Sequence, residues 1–173
     1  MRKAPARGSG RGFGTEGWDA SVELEKRERT EPRGELPAEL AAAIALRRGV
    51  YEVRAAHSPE STQHWCSKGS TAWTVIYEAD ARFQMSCLNR FIYVKAVADL
   101  TMMLQGADDI RGKVSTVGIA VSDDKAPEIA TQLARWGATR ICPLGQMQNP
   151  PLLWRHDGRP ALGDLVVWTD FEP

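Results

Sequence analysis

The sequence predicts an α/β protein built on an open sheet with parallel strands. Between residues 91 and 142, β-branched and aromatic stretches alternate with helix-like stretches in the order β-α-β-α-β, and right-handed crossovers in such a unit make the strands parallel. The chain has 173 residues, enough for a core, because a protein of this size buries roughly 70% of its unfolded surface. We expect residues 1–35 to stand apart from the sheet as a disordered N-terminal arm.

The composition of the arm is the reason for that expectation. Glycine and arginine dominate up to about Gly17, and residues 23–35 are dense in charge and poor in large apolar side chains. Such a segment buries too little surface to offset the entropy lost on ordering. The only regular structure expected here is a fraying helical turn around residues 22–29.

Ordered structure is expected to begin near Leu36 with a helix. Pro37 suits the first helical turn, and residues 38–48 are rich in strong helix formers. Gly49 is expected to end this helix.

A strand, a loop and a second strand are predicted to follow. Residues 50–56 are predicted as the strand, and residues 58–70 as a loop because they contain proline, glycine and several hydroxyl side chains. Residues 72–77 alternate as a strand in a sheet does. One side of that strand would consist of Trp73, Val75 and Tyr77.

The β-α-β-α-β unit forms the next part of the chain. Strands are predicted at 91–97, 113–121 and 138–142, with helices at 98–105 and after residue 122. The second helix is well marked, because Ile129, Leu133 and Trp136 lie on one stripe and Gly137 suits the left-handed position that ends a helix. A helical turn at 161–165 and a strand at 166–169 are expected to follow.

Composition excludes several classes of protein. With 22 basic and 22 acidic side chains, there is no global electrostatic reason to expect nucleic acid or an anionic membrane as a partner, although a basic arm at 1–11 is a weaker alternative for nucleic acid. The longest apolar run, 40–46, is far shorter than the roughly 20 residues of a membrane span. Three cysteines and no apolar leader favour the reducing cytoplasm.

Two motifs in the first half of the chain favour plain structural interpretations. Gly12, Gly14 and Gly17 have the G-x-G-x-x-G spacing of a dinucleotide loop, but no hydrophobic strand precedes them. His64 and Cys66 form H-x-C without a second pair at zinc-site spacing, so we expect no metal. Cys66 is still the thiol of most interest, because the nearby Lys68 would lower its pKa if the two converge.

A polar cluster near the C-terminus is the remaining candidate. His156 and Asp157 lie in the loop sequence WRHDGRP, and functional loops often combine polar side chains with glycine and proline. The opposing interpretation is that the cluster holds the loop in place, because adjacent side chains usually diverge.

Five stretches in order resemble a known family. They are STAWTVIYEADARF, CLNRFIYVK, GKVSTVGIAV, ARWGATRICPLGQM and WRHDGRPALGDLVVWTD. They resemble the C-terminal part of the fatty-acyl-CoA reductases linked to bacterial luciferase, the long-chain acyl-protein thioester reductases. That family is a distant relative of the aldehyde dehydrogenases. The resemblance implies that residues 36–173 form the C-terminal part of a catalytic domain with a partial aldehyde-dehydrogenase-like open sheet.

The resemblance implies a reaction. In this family a cysteine thiolate takes a fatty acyl group from coenzyme A or a carrier protein as a thioester, and NADPH reduces that thioester to a fatty aldehyde. An acyl-protein synthetase and a transferase supply acyl groups to family members. Asn89 and Arg90 match positions near the nicotinamide end of the cofactor, and His156 and Asp157 match positions that would line the acyl channel.

The resemblance also implies that this chain is an incomplete enzyme. In the family the dinucleotide-binding domain and the nucleophilic cysteine precede the matched region, and none of Cys66, Cys87 or Cys142 lies in the nucleophile motif. No catalytic residue is therefore assigned. The alternative is a non-catalytic module that docks on a full-length reductase, on the synthetase or on itself, through a sheet face that the missing half would cover.

Overall fold

The computed structural model describes residues 15–159, 165, 167 and 169–172, and it has the predicted mixed α/β fold. The chain divides into two compact units, residues 1–103 and 104–173. Among the described residues, no helix combines the length and the apolar character needed to cross a bilayer. The helical turn predicted at 161–165 and the strand predicted at 166–169 lie largely outside the described residues.

The first unit is a small sheet between two helices. Its helices are α1 (Thr15–Thr30) and α2 (Ala38–His57), and its strands are β1 (Thr62–Cys66), β2 (Thr74–Glu78) and β3 (Phe91–Lys95). The strand order is β1-β2-β3, with β1 antiparallel and β3 parallel to the central β2.

Both faces of β2 are covered, which confirms the alternation predicted for this strand. On one face Ile44 and Tyr51 of α2 pack with Ile76 and Phe91. On the other face Trp73 and Val75 contact side chains of α1 and of the neighbouring strands, namely Ala20, Leu24, Trp65 and Val94.

The two ends of β2 are polar and buried, and α2 contributes an arginine to each. At the start, Arg48 Nε donates to Thr74 Oγ1 at 2.8 Å. At the end, the Glu78 carboxylate is 1% exposed and forms ion pairs with Arg54 at 2.8 Å and with Lys95 at 2.6 Å. A carboxylate this deeply buried destabilises the fold unless it is paired, so these contacts fix how α2 lies on the sheet.

Helix α2 corrects two predictions. It does not end at Gly49, and the strand predicted at 50–56 is wrong, because the helix continues to His57. The physical reason is tertiary: Ile44 and Tyr51 lie two turns apart on one face and both are buried on the sheet. That packing outweighs the roughly 1 kcal/mol by which glycine disfavours a helix.

The segment predicted as a loop at 58–70 contains strand β1. Residues 62–66 pair with β2 along its whole length, from Thr62 opposite Glu78 to Cys66 opposite Thr74. The hydroxyl residues and Pro59 that suggested a loop lie mainly on either side of this strand.

The prediction of a disordered arm over residues 1–35 is wrong for the residues that form α1. Residues 1–14 lie outside the described part of the chain. Although α1 has few apolar side chains, Ala20 and Leu24 pack against the sheet, and Trp73 Nε1 donates to Glu25 Oε2 at 3.0 Å. Gly17 lies against the ring of Trp65 so closely that a Cβ would overlap it. Gly17 therefore serves helix packing, and Gly12 and Gly14 of the same motif lie outside the described residues.

The second unit contains a β-α-β element. Strand β4 (Val117–Ile119), helix α4 (Ala126–Trp136) and strand β5 (Ile141–Pro143) follow one another, and the two strands are parallel. Leu133 and Trp136 are buried as the predicted stripe requires. Gly137 ends α4 with φ of 114° and donates to the Leu133 carbonyl, which confirms its predicted role.

The predicted five-element run is divided between two sheets. Strand β3 pairs with β2, whereas β4 pairs only with β5 within the described residues. The intervening helix α3 (Leu100–Gly106) is seven residues long and buries no side chain, so it does not act as a crossover that brings β4 beside β3. The predicted parallel pairing is present at β2-β3 and at β4-β5. The antiparallel strand β1 is an addition that the sequence did not predict.

Replacing Gly17 with alanine tests the packing of α1. Alanine ordinarily stabilises a helix relative to glycine, but here the added Cβ must displace Trp65. We expect Gly17→Ala to lower the free energy of unfolding by about 1–3 kcal/mol in urea titrations. The matched control is Gly49→Ala, whose Cβ meets open space and should raise stability by up to about 1 kcal/mol. Equal gains from both substitutions would contradict the close contact.

Candidate functional site

The predicted cofactor residues lie in a left-handed turn that leads into β3. Leu88, Asn89 and Arg90 have φ of 57°, 52° and 63°, and the Phe91 N–H closes the turn on the Leu88 carbonyl at 2.9 Å. Non-glycine residues in this region cost about 1–3 kcal/mol each. Such strain persists only where surrounding contacts hold it, and it is often found at functional sites.

Residues of α1 and of the segment after it hold this turn. Arg90 forms an ion pair with Glu28 and donates to the Glu31 carbonyl at 2.8 Å. Arg33 donates to the carbonyls of Thr71, at 2.6 Å, and Asn89, at 3.4 Å. The Arg90 guanidinium is thus engaged within the protein. Sequence reasoning missed Glu28 and Arg33 because their charge density indicated disorder.

At the carboxyl ends of β2 and β3 lies a network of polar groups around the buried Glu78 carboxylate. Lys95 contacts both Glu78 and Asp80, the latter at 3.1 Å. The Tyr51 hydroxyl donates to the side-chain oxygen of Gln84. Burial is the main cause that raises the pKa of Tyr51 far above its usual value, and its neighbour Tyr93 adds to the effect. The Tyr51 hydroxyl therefore stays protonated and remains a hydrogen-bond donor. The network joins α2 to the sheet.

His64 and Cys66 project from the same face of β1, towards α2. Cys66 lies opposite Thr74, whose hydroxyl accepts from Arg48. Burial, and secondarily the charge of Arg48, lowers the pKa of His64 below 6.5, and its Nε2 atom is buried without a hydrogen-bond partner. Within the described ranges, no cluster of three or more His, Cys, Asp or Glu side chains that would hold a metal ion is found.

The second unit has an apolar groove of about 350 Å³. It lies where β4 and β5 end and α4 begins, which is the position where α/β proteins commonly bind ligands. Its walls are aliphatic apart from Asp123 and Cys142, and Cys142 is buried. The lining residues are Ile119, Val121, Asp123, Ala126, Pro127, Ala130, Ile141, Cys142 and Pro143.

A buried arginine immediately before β5 organises the loop beside the groove. The Arg140 guanidinium donates to the carbonyls of Gln146 and Met147, both at 2.8 Å. Met147 in turn packs against Gly118 of β4, where a Cβ would lie 2.8 Å from its sulfur. Strand, arginine and glycine together fix the loop that begins at Pro143.

His156 and Asp157 form a contact that adjacent residues seldom make. Asp157 has φ of 49°, which folds its carboxylate back to lie 3.2 Å from His156 Nδ1. The His156 ring lies edge-on to Trp154, and Trp154 stacks with the Arg140 guanidinium. Both residues of the pair are exposed and neither belongs to the groove wall.

The Acyl-CoA reductase (LuxC) family model matches residues 19–168. The chain belongs to this family. No curated protein matches the sequence. The match begins within α1, so this acyl-CoA reductase region includes the helix that holds the strained turn, and it extends through the groove, the Arg140 loop and the His156–Asp157 pair.

None of the three cysteines of this acyl-CoA reductase family member forms a disulfide. Cys142 is buried and lines the groove, whereas Cys66 and Cys87 belong to the first unit and are partly exposed. The groove residues escaped sequence reasoning because each is an ordinary aliphatic side chain. The one available signal was the position of a strand end followed by a helix start, at 119–126.

His64 is expected to make stability depend on pH. Because its pKa in the folded protein is lower than its ordinary value of 6.5, the unfolded chain binds more protons as the pH falls below about 6.5. The contribution of His64 to stability is fully present above that pH and is lost below it. Urea titrations from pH 7.5 to 5.5 should show a smaller loss for His64→Gln than for the wild type. The control Thr131→Ala, at an exposed position without a titratable group, should keep the wild-type slope.

Arg140 is expected to be required for the loop beside the groove. Arg140→Ala leaves the carbonyls of Gln146 and Met147 without their charged donor, so we expect a loss of about 2–3 kcal/mol in unfolding free energy. Limited proteolysis should then cut within 143–150. Arg135→Ala, on the exposed side of α4, is the control and should change stability by less than about 0.5 kcal/mol. An uncut loop in Arg140→Ala would contradict the assignment.

Proposed function

We propose that this chain acts in the NADPH-dependent reduction of a fatty acyl thioester to a fatty aldehyde through an acyl-cysteine. Its part is to bind the acyl chain in the groove at the ends of β4 and β5. The observation that carries the proposal is this apolar groove in a chain that belongs to the acyl-CoA reductase family. The proposed place of action is the cytoplasm.

The chemistry of the groove suits an alkyl chain. Its lining is almost wholly aliphatic, so each methylene that enters gains about 0.8 kcal/mol by leaving water. Asp123 is the one carboxylate on the wall and would disfavour a bound anion there. The coenzyme A or carrier-protein end of the substrate would therefore lie outside, and His156 and Asp157 are proposed to line its approach.

We propose that the cofactor and the acylated cysteine are held with a companion catalytic part. The Arg90 guanidinium already donates to Glu28 and to the Glu31 carbonyl, so we do not propose that it holds the cofactor directly. Asn89 and Arg90 remain the residues proposed for the nicotinamide end, with Arg90 acting by shaping the turn.

The second candidate function is a non-catalytic module that docks on a full-length reductase or on an acyl-protein synthetase. The observation in its favour is a pair of exposed leucines, Leu152 and Leu153, which are 96% and 91% exposed in a turn that follows two prolines. The sheet face first expected to dock is not free, because α1 and α2 cover both faces of β2.

Filling the groove tests the acyl-binding role. Calorimetry should show that the chain binds a long-chain acyl-CoA more tightly than coenzyme A alone, because only the former carries an alkyl chain. Ala130→Phe places a ring in the groove and should weaken acyl-CoA binding at least tenfold, with no effect on coenzyme A. Ala134→Phe, on the exposed side of the same helix, should bind like the wild type.

The outcome of turnover assays separates the two functions. With acyl-CoA and NADPH the chain alone should form no aldehyde, and robust production by the chain alone would contradict the need for a companion part. If Ala130→Phe binds acyl-CoA as the wild type does, the groove proposal fails. Capture of the synthetase by the wild type but not by Leu152→Ser with Leu153→Ser would then favour the docking module.

A further inference from the structure

The outward side of α2 carries an exposed apolar stripe. Leu46 and Val53 are 75% and 70% exposed, and they point away from the face that buries Ile44 and Tyr51. Together with small residues they recur at alternating intervals of four and three, the spacing of a helix that packs along another helix. We call this stripe the outer seam: Ala42, Leu46, Gly49, Val53 and Ala56.

Large and small residues alternate along the outer seam, and this alternation specifies a partner. If a second α2 lies antiparallel with its midpoint on the midpoint of the first, Leu46 faces Gly49 of the second copy and Val53 faces Ala42 of the second copy. Each layer then joins one branched side chain with one small residue. A parallel pair in register would instead place Gly49 on Gly49 and Leu46 on Leu46, leaving gaps beside crowded layers.

The surface at the centre of the seam is open to receive such a helix. A Cβ added at Gly49 would meet nothing within 4 Å, so the neighbouring side chains leave room for Leu46 of the second copy. Small residues at this spacing let two helix backbones approach to about 8 Å.

The charges at the two ends of α2 favour the same arrangement. Glu39 lies in the first turn, and the last turn is basic, with His57 at its end. Antiparallel pairing brings Glu39 of one copy beside His57 of the other at both ends of the contact, and it aligns the helix dipoles favourably. In a parallel pair, Glu39 would lie beside Glu39.

We infer that α2 joins two copies of this chain through an antiparallel, two-fold symmetric contact of their outer seams. A two-fold axis through the helix midpoint makes every layer occur twice, which is the usual geometry of a homodimer. The inference is independent of the proposed function, because the seam lies in the first unit and the groove in the second.

Mass measurements on the full chain test the contact. Light scattering after size exclusion should give twice the chain mass of 19.1 kDa for the wild type. Leu46→Glu and Gly49→Glu should each give the monomer mass, because both place a carboxylate in the paired layer. Glutamate favours helix over glycine, so the Gly49→Glu monomer should keep the wild-type circular dichroism spectrum, and loss of the dimer then cannot be ascribed to unfolding. Met85→Glu, at a methionine outside the seam that is as exposed as Leu46, should stay dimeric.

Disulfide trapping tests the orientation. A mixture of chains carrying Ala42→Cys and Val53→Cys should form the mixed disulfide in preference to either homodimer, with the wild type as the control for native thiols. Preferred Ala42→Cys homodimers would indicate a parallel pair and overturn the inference. A monomeric wild type, or a dimer that survives Gly49→Glu, would also overturn it. If the wild type is monomeric alone but forms a Gly49→Glu-sensitive complex with a full-length reductase, the seam docks on that protein instead.

Discussion

Strand β2 imposes the strongest constraint on the first unit, because it is buried along its whole length and yet has a hydroxyl at one end and a carboxylate at the other. Both groups must be paired where water does not reach. Arg48 of α2 meets Thr74, and Arg54 of α2 and Lys95 of β3 meet Glu78. A helix that ended at Gly49 would still pair Thr74 with Arg48. It would lack Arg54, so the buried Glu78 carboxylate would keep only Lys95 as a cationic partner.

That constraint explains features of α2 which otherwise have little in common. The helix must continue through Gly49 to carry Arg54 to the far end of the strand, so a glycine with no local role remains in its middle. The same glycine lies on the outward side, where it forms the flat centre of the outer seam. A residue that is unfavourable for the helix alone is thus suited to a second helix at close range.

The sequence was most informative where local pattern and tertiary packing agree. Leu133, Trp136 and Gly137 mark α4 by periodicity and by its left-handed end, and both signals are local. The limits of α2 and the existence of α1 depend on distant partners, such as Glu78 for Arg54 and Trp65 for Gly17, and no local window contains them. The groove was invisible for a related reason: aliphatic side chains become a site only when two strand ends and a helix start converge.

The two candidate sites differ in what their polar groups are free to do. At the turn 88–90, the strained backbone and Arg90 are held by ion pairs and hydrogen bonds from α1, so the energy of those contacts goes into maintaining the turn. In the groove, the main polar contacts are made outside the lining. Arg140 holds the adjoining loop through backbone carbonyls, and the lining residues are mostly aliphatic. A wall that is aliphatic apart from Asp123 and Cys142 has few polar groups to desolvate when a ligand enters, and this favours the binding of an alkyl chain.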